Sequence, residues 1–275
     1  MDYIEPACCF DASAYTGTPD SEPCANALNV PEIIRGLDAL YETGREAEAE
    51  AEAETYLEAW LDRARAAGDW RAELSIMSEL LGQYRRSGNA ARGIETVNTA
   101  LSLIQEHHMG QTVSGATVML NAATTLKCFG RAAESIPIFE HVSRVYANNL
   151  DAADYRFAGL YNNMALSFED AGEYERAEKY FTLALRFLEN CGAPKNELAV
   201  TLCNMAELYG KQDMEDARIE KCLDGAWEYL NDPTLKQDGY HAFTISKCAP
   251  CFDYFGFFLY AKELRERAER IYALS

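Results

Sequence analysis

The clearest chemical motif in this 275-residue sequence is a pair of cysteines, Cys248-Ala249-Pro250-Cys251. Two cysteines separated by two residues are typical of zinc ligands and of redox-active thiols. A structural zinc site needs four ligands, and the sequence contains neither a second C-x-x-C pair nor an H-x-x-x-H pair. A thioredoxin-like site needs a β-α-β context, which the sequence pattern does not show. We therefore interpret the pair as small apolar core residues, and we expect no metal ion and no cofactor.

Other catalytic machinery is not recognisable in the sequence. There is no glycine-rich phosphate loop, no G-x-S-x-G segment and no H-E-x-x-H segment. His107 and His108 are adjacent, and adjacent side chains on a helix point about 100° apart, which makes a poor chelate. The sequence thus predicts no catalytic residues and a non-enzymatic protein.

The charge and the hydropathy pattern limit the classes of partner. The chain carries 44 acidic and 25 basic side chains, a formal net charge of −19, which repels a phosphate backbone. No run approaches the roughly 18 consecutive apolar residues of a membrane span, and the first residues lack the basic and apolar regions of a secretory signal. Nine scattered cysteines favour reduced thiols. We expect a cytoplasmic protein that binds neither nucleic acid nor membranes.

Glycines at a regular spacing divide the chain into similar units. Their separations are 44, 42, 42 and 84 residues, and the last is twice 42; the glycines are Gly44, Gly88, Gly130, Gly172 and Gly256. On both sides of Gly172, small and apolar residues recur at helical i, i+3, i+4, i+7 spacing. Two amphipathic helices joined by a tight turn cannot bury their apolar faces alone. They must therefore stack on further copies of the same hairpin.

The unit around Gly172 resembles the tetratricopeptide repeat (TPR) in the order of its large, small and aromatic residues. The matching residues are Tyr161, Met164, Ala165, Phe168, Gly172, Ala177, Phe181 and Ala184. The same slots can be followed through six copies, at a period of about 42 rather than 34 residues. This spacing is similar to that of kinesin light chains and of the peptide-sensing regulators of Gram-positive quorum systems. The resemblance implies an all-α, right-handed α-solenoid of about six TPR-like hairpins.

The repeat pattern also divides the chain into a tail and a repeat domain. We interpret residues 1–29 as an acidic, largely irregular N-terminal tail, with Asn29 as the N-cap of the first helix. Residues 30–275 form the superhelical domain, with approximate repeats 30–72, 73–115, 116–157, 158–198, 199–240 and 241–275. Pro137 and Pro250 fall inside predicted helices, where each removes a backbone donor, so we expect a late start or a kink at both.

In the TPR family the first helix of each repeat lines a concave groove, so its polar residues are the candidates for binding. Asn121, Asn163 and Asn204 occupy one slot in three consecutive repeats, and an amide can pair with both the N–H and the C=O of an extended peptide. Further along the first helices lies a basic cluster, composed of Arg85, Arg86 and Lys127, that could bind a carboxylate. The corresponding residues of the next repeat are Glu169 and Asp170.

A second candidate surface lies near the end of the chain, where six aromatic residues fall within nine positions. They include Phe255, Phe257 and Phe258, which are either core residues or a dimer or partner interface. We therefore predict a non-enzymatic scaffold or adaptor that binds a protein or peptide in its concave groove, with homodimerisation open. The alternative is a regulatory protein that changes the shape of its superhelix when a peptide binds.

Overall fold

All regular structure in the described part of the chain is helical. The computed structural model describes residues 27–41, 46–192, 194–212 and 216–273. The helices are α1 Val30–Tyr41, α2 Glu46–Ala67, α3 Trp70–Ser87, α4 Ala90–Glu106, α5 Val113–Cys128, α6 Ala132–Asn149, α7 Arg156–Asp170, α8 Tyr174–Cys191, α9 Lys195–Lys211, α10 Asp216–Leu230, α11 Gly239–Tyr254 and α12 Phe258–Tyr272. A single turn of 3₁₀ helix, Met109–Gln111, precedes α5.

The helices belong to two compact units, which meet in the sequence between Leu150 and Asp151. In the unit of α1 to α6, successive helices form hairpins, and α3 packs against α5 as well as against α2 and α4. In the unit of α7 to α12, α7 packs on α8, α9 on α10 and α11 on α12, while α9 also contacts α7, α8 and α11. The odd-numbered helices are the first helices of the hairpins, and the even-numbered helices are the second helices.

The predicted turn glycines have the backbone conformation that a tight helical turn requires. Gly88, Gly130, Gly172 and Gly256 each have a positive φ, between 68° and 86°. A side chain would be strained in this left-handed region, whereas glycine has no Cβ to clash. Each of the helices α3, α5, α7 and α11 is therefore followed by the glycine turn that the sequence predicted. Gly44 lies outside the described residues.

The residues of the TPR-like slots form the core of each hairpin. In the hairpin of α7 and α8, Met164, Ala165, Phe168, Ala177 and Phe181 are all buried. Small alanines and large phenylalanines are thus enclosed side by side in this hairpin. Equivalent positions elsewhere, among them Leu80, Tyr84, Val97, Phe139, Ala206 and Phe252, are also buried. The small-and-large alternation in the sequence is thus a packing pattern.

The start of α1 is fixed by a polar cap. The backbone N–H of Glu32 donates to Asn29 Oδ1, and the Asn29 amide donates back to the Glu32 carboxylate at 3.0 Å. This reciprocal pair satisfies exposed groups at the helix N-terminus. Just before it, the Leu28 N–H donates to the carboxylate of Asp69 at 2.8 Å. Most of the proposed tail, residues 1–26, lies outside the described residues.

The sequence predicted a late start or a kink at two prolines, and neither helix starts late. Pro137 is the sixth residue of α6, which begins at Ala132, and Pro250 is near the C-terminal end of α11. A proline interrupts only the one backbone bond that its nitrogen would have made. Helix packing on both sides of these positions is extensive enough to carry the helix through the gap, because Ser135, Phe139, Ala249 and Cys251 are buried.

Candidate ligand-binding face of the first helices

Buried polar side chains are concentrated on the first helices of the hairpins. Of the 20 buried polar or charged residues in the described chain, 18 lie on α3, α5, α7, α9 or α11, and the exceptions are Asp69 and Ser135. A first helix inside a stack has helices on several sides, so its polar residues are enclosed too. Enclosed polar groups need hydrogen-bond partners, and their partners define what each site can do.

In the unit of α1 to α6, Asn121 connects two first helices. It is buried on α5, and its amide Nδ2 donates to Ser78 Oγ on α3 at 2.8 Å. Its Oδ1 atom is buried and accepts no hydrogen bond within the described residues. The amide of Asn121 was predicted to bind a peptide backbone. Its donor group is thus used in helix packing, while its acceptor oxygen has no protein partner among the described residues.

The three predicted basic residues occupy different environments. Arg85 was expected to project into the groove, but its Nη1 donates to Thr125 Oγ1 at 3.0 Å and to the Asn121 carbonyl at 3.4 Å. Lys127 was also expected to project, and it is instead buried, with 2% of its surface exposed. Arg86 alone of the three is exposed. Among these three residues, Arg86 is therefore the one that a partner could reach most directly.

A carboxyl group that the sequence reading overlooked lies beside this basic cluster. Glu79 is 42 residues before Asn121, so it occupies the asparagine slot of the preceding repeat. Burial, helped by the charge of Asp38, raises the pKa of Glu79 to about 7, while Arg86 and Arg85 oppose the rise. Near neutral pH a protonated carboxyl here offers one donor and one acceptor, much as an amide does. Counting one period back from Asn121 could have found it.

In the unit of α7 to α12, the predicted asparagines are part of a seam between α7 and α9. Asn163 is buried on α7; its Nδ2 donates to the Gly159 carbonyl at 3.0 Å, and its Oδ1 is enclosed without a hydrogen-bond partner in the described chain. Asn204 on α9 donates to Asn162 Oδ1 at 3.4 Å. The Asn162 Nδ2 is in turn buried without an acceptor among those residues. Asn162 was not predicted, because it falls one position before the repeated slot.

Charged side chains lie in the same seam, near the C-terminal ends of α7 and α9. Lys211 Nζ lies 2.7 Å from the carboxylate of Glu169, whose side chain is fully enclosed. Burial and then the charge of Glu169 raise the pKa of Glu207 to about 7, and Lys211 acts in the opposite direction. Burial, more than the single lysine, thus sets the titration of Glu207.

The aromatic residues near the end of the chain divide between packing and exposure. Phe255 packs over Gly210, where an added Cβ would come within 2.8 Å of its ring. Phe257 contacts Phe252 and Tyr260. Phe258 is 65% exposed, and the neighbouring exposed side chains are Tyr254 and Leu259. The predicted interface therefore reduces to the tip of the α11–α12 hairpin, with Phe258 as the only one of the three proposed residues that is largely exposed.

Of the two motifs considered for metal or redox chemistry, the cysteine pair is buried, while His107 is half-buried and His108 is exposed. Cys248 and Cys251 are both buried on α11. Within the described ranges, no group of three or more His, Cys, Asp or Glu side chains is arranged to hold a metal ion. His107 caps the end of α4 and stacks on Trp70, with ring centroids 3.9 Å apart. Among the described helices, none combines the length and apolar character that a membrane span requires.

Solved structures with the same architecture are repeat proteins of the TPR type. The crystal structure of BtubC (BKLC) from P. vanneervenii is 18% identical, with a TM-score of 0.51, and the match covers 90% of this chain and 92% of that one. A protein from Podosopora anserina, described as a putative kinesin light chain with nearly identical TPR-like repeats, is 16% identical. That match covers 78% of this chain and 96% of the other, with a TM-score of 0.52; a point variant of the same protein gives 0.53.

These similarities define the class of fold. The chain is an all-α solenoid of TPR-like hairpins, as the slot pattern predicted. No protein-family model matches the sequence, and no curated protein matches it either. At identities of 16–18% the shared feature is the fold alone, and a fold does not determine a function.

Proposed function

We propose that this chain is a non-enzymatic scaffold that binds a protein segment along the inner faces of its first helices. The observation that carries the proposal is the set of buried amide oxygens, Asn121 Oδ1 and Asn163 Oδ1, that accept no hydrogen bond from described residues. An enclosed acceptor without a donor costs about 1–3 kcal/mol. The N–H groups of an extended peptide are donors of the required kind and need no particular side-chain sequence. Because both oxygens are enclosed, the two amide side chains would have to turn toward the segment to accept these hydrogen bonds.

Each unit is proposed to have a polar binding face of its own. In the unit of α1 to α6, Arg86 would pair with an acidic side chain or a terminal carboxylate of the partner, and Lys127 and Arg85 would add positive potential behind it. In the unit of α7 to α12, Asn163 and Asn204 would contact the backbone of a segment bound to that unit. The partner is proposed to be a protein rather than a nucleic acid, because the net charge of −19 opposes phosphate binding.

The exposed cation provides the sharpest test because Arg86 is the exposed member of the basic cluster. Arg86→Glu reverses a charge on the first-helix face of α3. Arg144→Glu makes the same change on α6, a second helix of the same unit, where Arg144 is also exposed. We expect the partner captured by the wild-type chain from native lysate, once identified and purified, to bind Arg86→Glu at least tenfold more weakly, with a steeper loss at low salt. Arg144→Glu should bind like the wild type.

The buried amides require a variant that preserves the helix contact. Asn163→Ala removes only a side chain that bonds within its own helix, whereas Asn121 and Asn204 also connect two helices. We expect Asn163→Ala to weaken binding without a matching loss of thermal stability. If the purified partner bound Arg86→Glu and Asn163→Ala as tightly as the wild type, the inner face would not be the site, and the exposed tip at Phe258 would become the next candidate.

A further inference from the structure

Three cysteines from two helices meet in the seam between α9 and α11. Cys203, Cys248 and Cys251 are 1%, 0% and 2% exposed. The Cys251 thiol donates to the Cys203 carbonyl oxygen, with 3.5 Å between Sγ and O. The thiol of Cys203 also interacts with the thiols of both Cys248 and Cys251. The C-x-x-C motif contains two of these residues, and the third, Cys203, lies 45 residues before Cys248.

Helix geometry explains why both cysteines of the motif reach the same partner. Residues three apart on a helix lie on one face, on consecutive turns. Cys248 and Cys251 therefore present two thiols to α9, and Cys203 faces both. All three are reduced in this structure. Glu207, one turn after Cys203, contributes a carboxyl that hydrogen-bonds the Cys251 thiol.

We propose that Cys203 forms a disulfide with either Cys248 or Cys251 when the chain equilibrates with an oxidising small-molecule disulfide. One S–S bond forms between the protein sulfurs, and the protein thiols lose two protons and two electrons in total. The oxidant, oxidised glutathione for example, accepts them and leaves as two molecules of glutathione. The bond would link α9 to α11, and it is independent of the proposed binding function.

The two possible kinds of disulfide have different mechanical consequences. A bond from Cys203 closes a loop of more than 40 residues and holds two helices together. A bond between Cys248 and Cys251 joins neighbouring turns of α11 and constrains nothing across the seam. Restricting a long loop in the unfolded chain raises stability, whereas a three-residue link changes it little. Cys203 should therefore be required for stabilisation, while Cys248 and Cys251 should substitute for each other.

The route of oxidation follows from the burial of the thiols. Hydrogen bonding to Cys248, together with burial, holds the pKa of Cys203 well above its usual value, and its thiolate is scarce in the folded unit. Hydrogen bonding to Cys203 and burial raise the pKa of Cys251 in the same way. Exchange will therefore proceed when the unit opens. An equilibrium experiment that includes unfolding avoids this kinetic barrier.

The test is refolding of the full chain from denaturant in oxidised or reduced glutathione buffer. Disulfides are mapped by differential alkylation and mass spectrometry of non-reduced peptides. In the oxidised buffer we expect peptides that join Cys203 to Cys248 or Cys251, and a melting temperature about 10 °C above that of the reduced protein. Cys203→Ser should show neither the disulfide-linked peptide nor the increase in melting temperature. Cys248→Ser and Cys251→Ser should each show both.

Two further variants make the result decisive. Cys191→Ser removes a half-buried thiol of α8 in the same unit, outside the seam, and should behave like the wild type. The double variant Cys248→Ser, Cys251→Ser should behave like Cys203→Ser. The proposal is overturned if the wild type refolds in oxidised buffer with all three thiols alkylated, or if the mapped bond joins Cys248 to Cys251 without Cys203.

Discussion

At the scale of single residues, helix packing and the proposed partner binding compete for the same hydrogen-bonding atoms on the first helices. Asn121 gives its amide hydrogens to Ser78, and Asn204 gives its own to Asn162. The remaining acceptors and the exposed guanidinium of Arg86 are what a partner could use. A repeated slot in the sequence therefore marks a position in the stack, while the neighbouring helix determines how many of its hydrogen-bonding atoms remain for a ligand.

Glu79 makes the stability of its unit depend on pH. Its pKa is raised to about 7 by burial, so the folded chain holds a proton that the unfolded chain releases near pH 4.5. Folding stability should therefore fall as the pH rises between these two values, and the loss should be complete above them. We expect Glu79→Gln to increase the free energy of unfolding by about 1–3 kcal/mol at about pH 8, with a much smaller gain at about pH 5.

Urea denaturation at the two pH values measures this difference. Glu95→Gln provides the matched control, since Glu95 is an exposed carboxyl on α4 in the same unit. A stabilisation by Glu79→Gln that is equal at both pH values would mean that the side chain of Glu79 is charged in the folded protein throughout. The reversed sign, a loss at high pH, would mean that its carboxylate makes a favourable ion pair.

His241 acts in the opposite direction in the unit of α7 to α12. It is buried on α11, and its Nδ1 hydrogen-bonds to Asn196 Oδ1 at 2.9 Å. Burial and the positive charge of Arg267 lower the pKa of His241, against the effect of Asp238. The unfolded chain thus binds a proton more readily, so stability should fall as the pH drops below the ordinary histidine pKa of about 6.5. His241→Gln should flatten the dependence of the free energy of unfolding on pH in this range. Urea denaturation between about pH 5 and about pH 7.5 would measure it, and an unchanged slope would contradict the prediction.

At the scale of helices, the glycines inside and between helices are not equivalent. A Cβ on Gly115, in the first turn of α5, would lie 2.2 Å from the carbonyl oxygen of Met109, a backbone atom that cannot easily move. A Cβ on Gly82 in α3 meets only the end of the Arg85 side chain at 3.9 Å. We expect Gly115→Ala to destabilise the protein by about 2 kcal/mol or more and Gly82→Ala to stabilise it by about 0.5–1 kcal/mol.

Thermal and urea unfolding of the two variants would check this contrast. Both changes add the same methyl group to a helix of the same unit, so helix propensity cancels in the comparison. Similar stabilities for the two variants would show that the 3₁₀ turn Met109–Gln111 adjusts to the added atom. The approach of α5 to that turn would then not require glycine.

The hairpins illustrate which features of an element are readable from sequence. Four turn glycines were identified by spacing alone, and each has the positive φ that only glycine adopts without strain. The two internal prolines did not delay the starts of their helices, although each removes one backbone hydrogen bond. In the stack, Pro137 is flanked by the buried Ser135 and Phe139, and tertiary packing outweighs the local preference.

At the scale of the whole molecule, the net charge of −19 opposes compactness by self-repulsion. Added salt screens repulsion between exposed charges over roughly 10 Å at 0.1 M. We expect the melting temperature to rise by about 2–5 °C between about 0.02 M and about 0.5 M sodium chloride. Scanning calorimetry with matched concentrations of a neutral solute would separate screening from general solute effects. A falling melting temperature would mean that surface ion pairs such as Arg265–Asp253 outweigh the repulsion.

The sequence by itself determined the helical hairpins, the four described turn glycines and the core positions of the TPR-like slots. Each of these depends on local chemistry that repeats at a regular interval along the chain: glycine where φ is positive, and alanine where helices touch. Only the tertiary structure decided how the polar positions are used. The contacts of Asn121 with Ser78, of Asn204 with Asn162 and of Cys203 with Cys248 and Cys251 join residues more than 40 positions apart. Such pairs depend on the rotation and offset of neighbouring helices, which a repeating pattern of residue types does not specify.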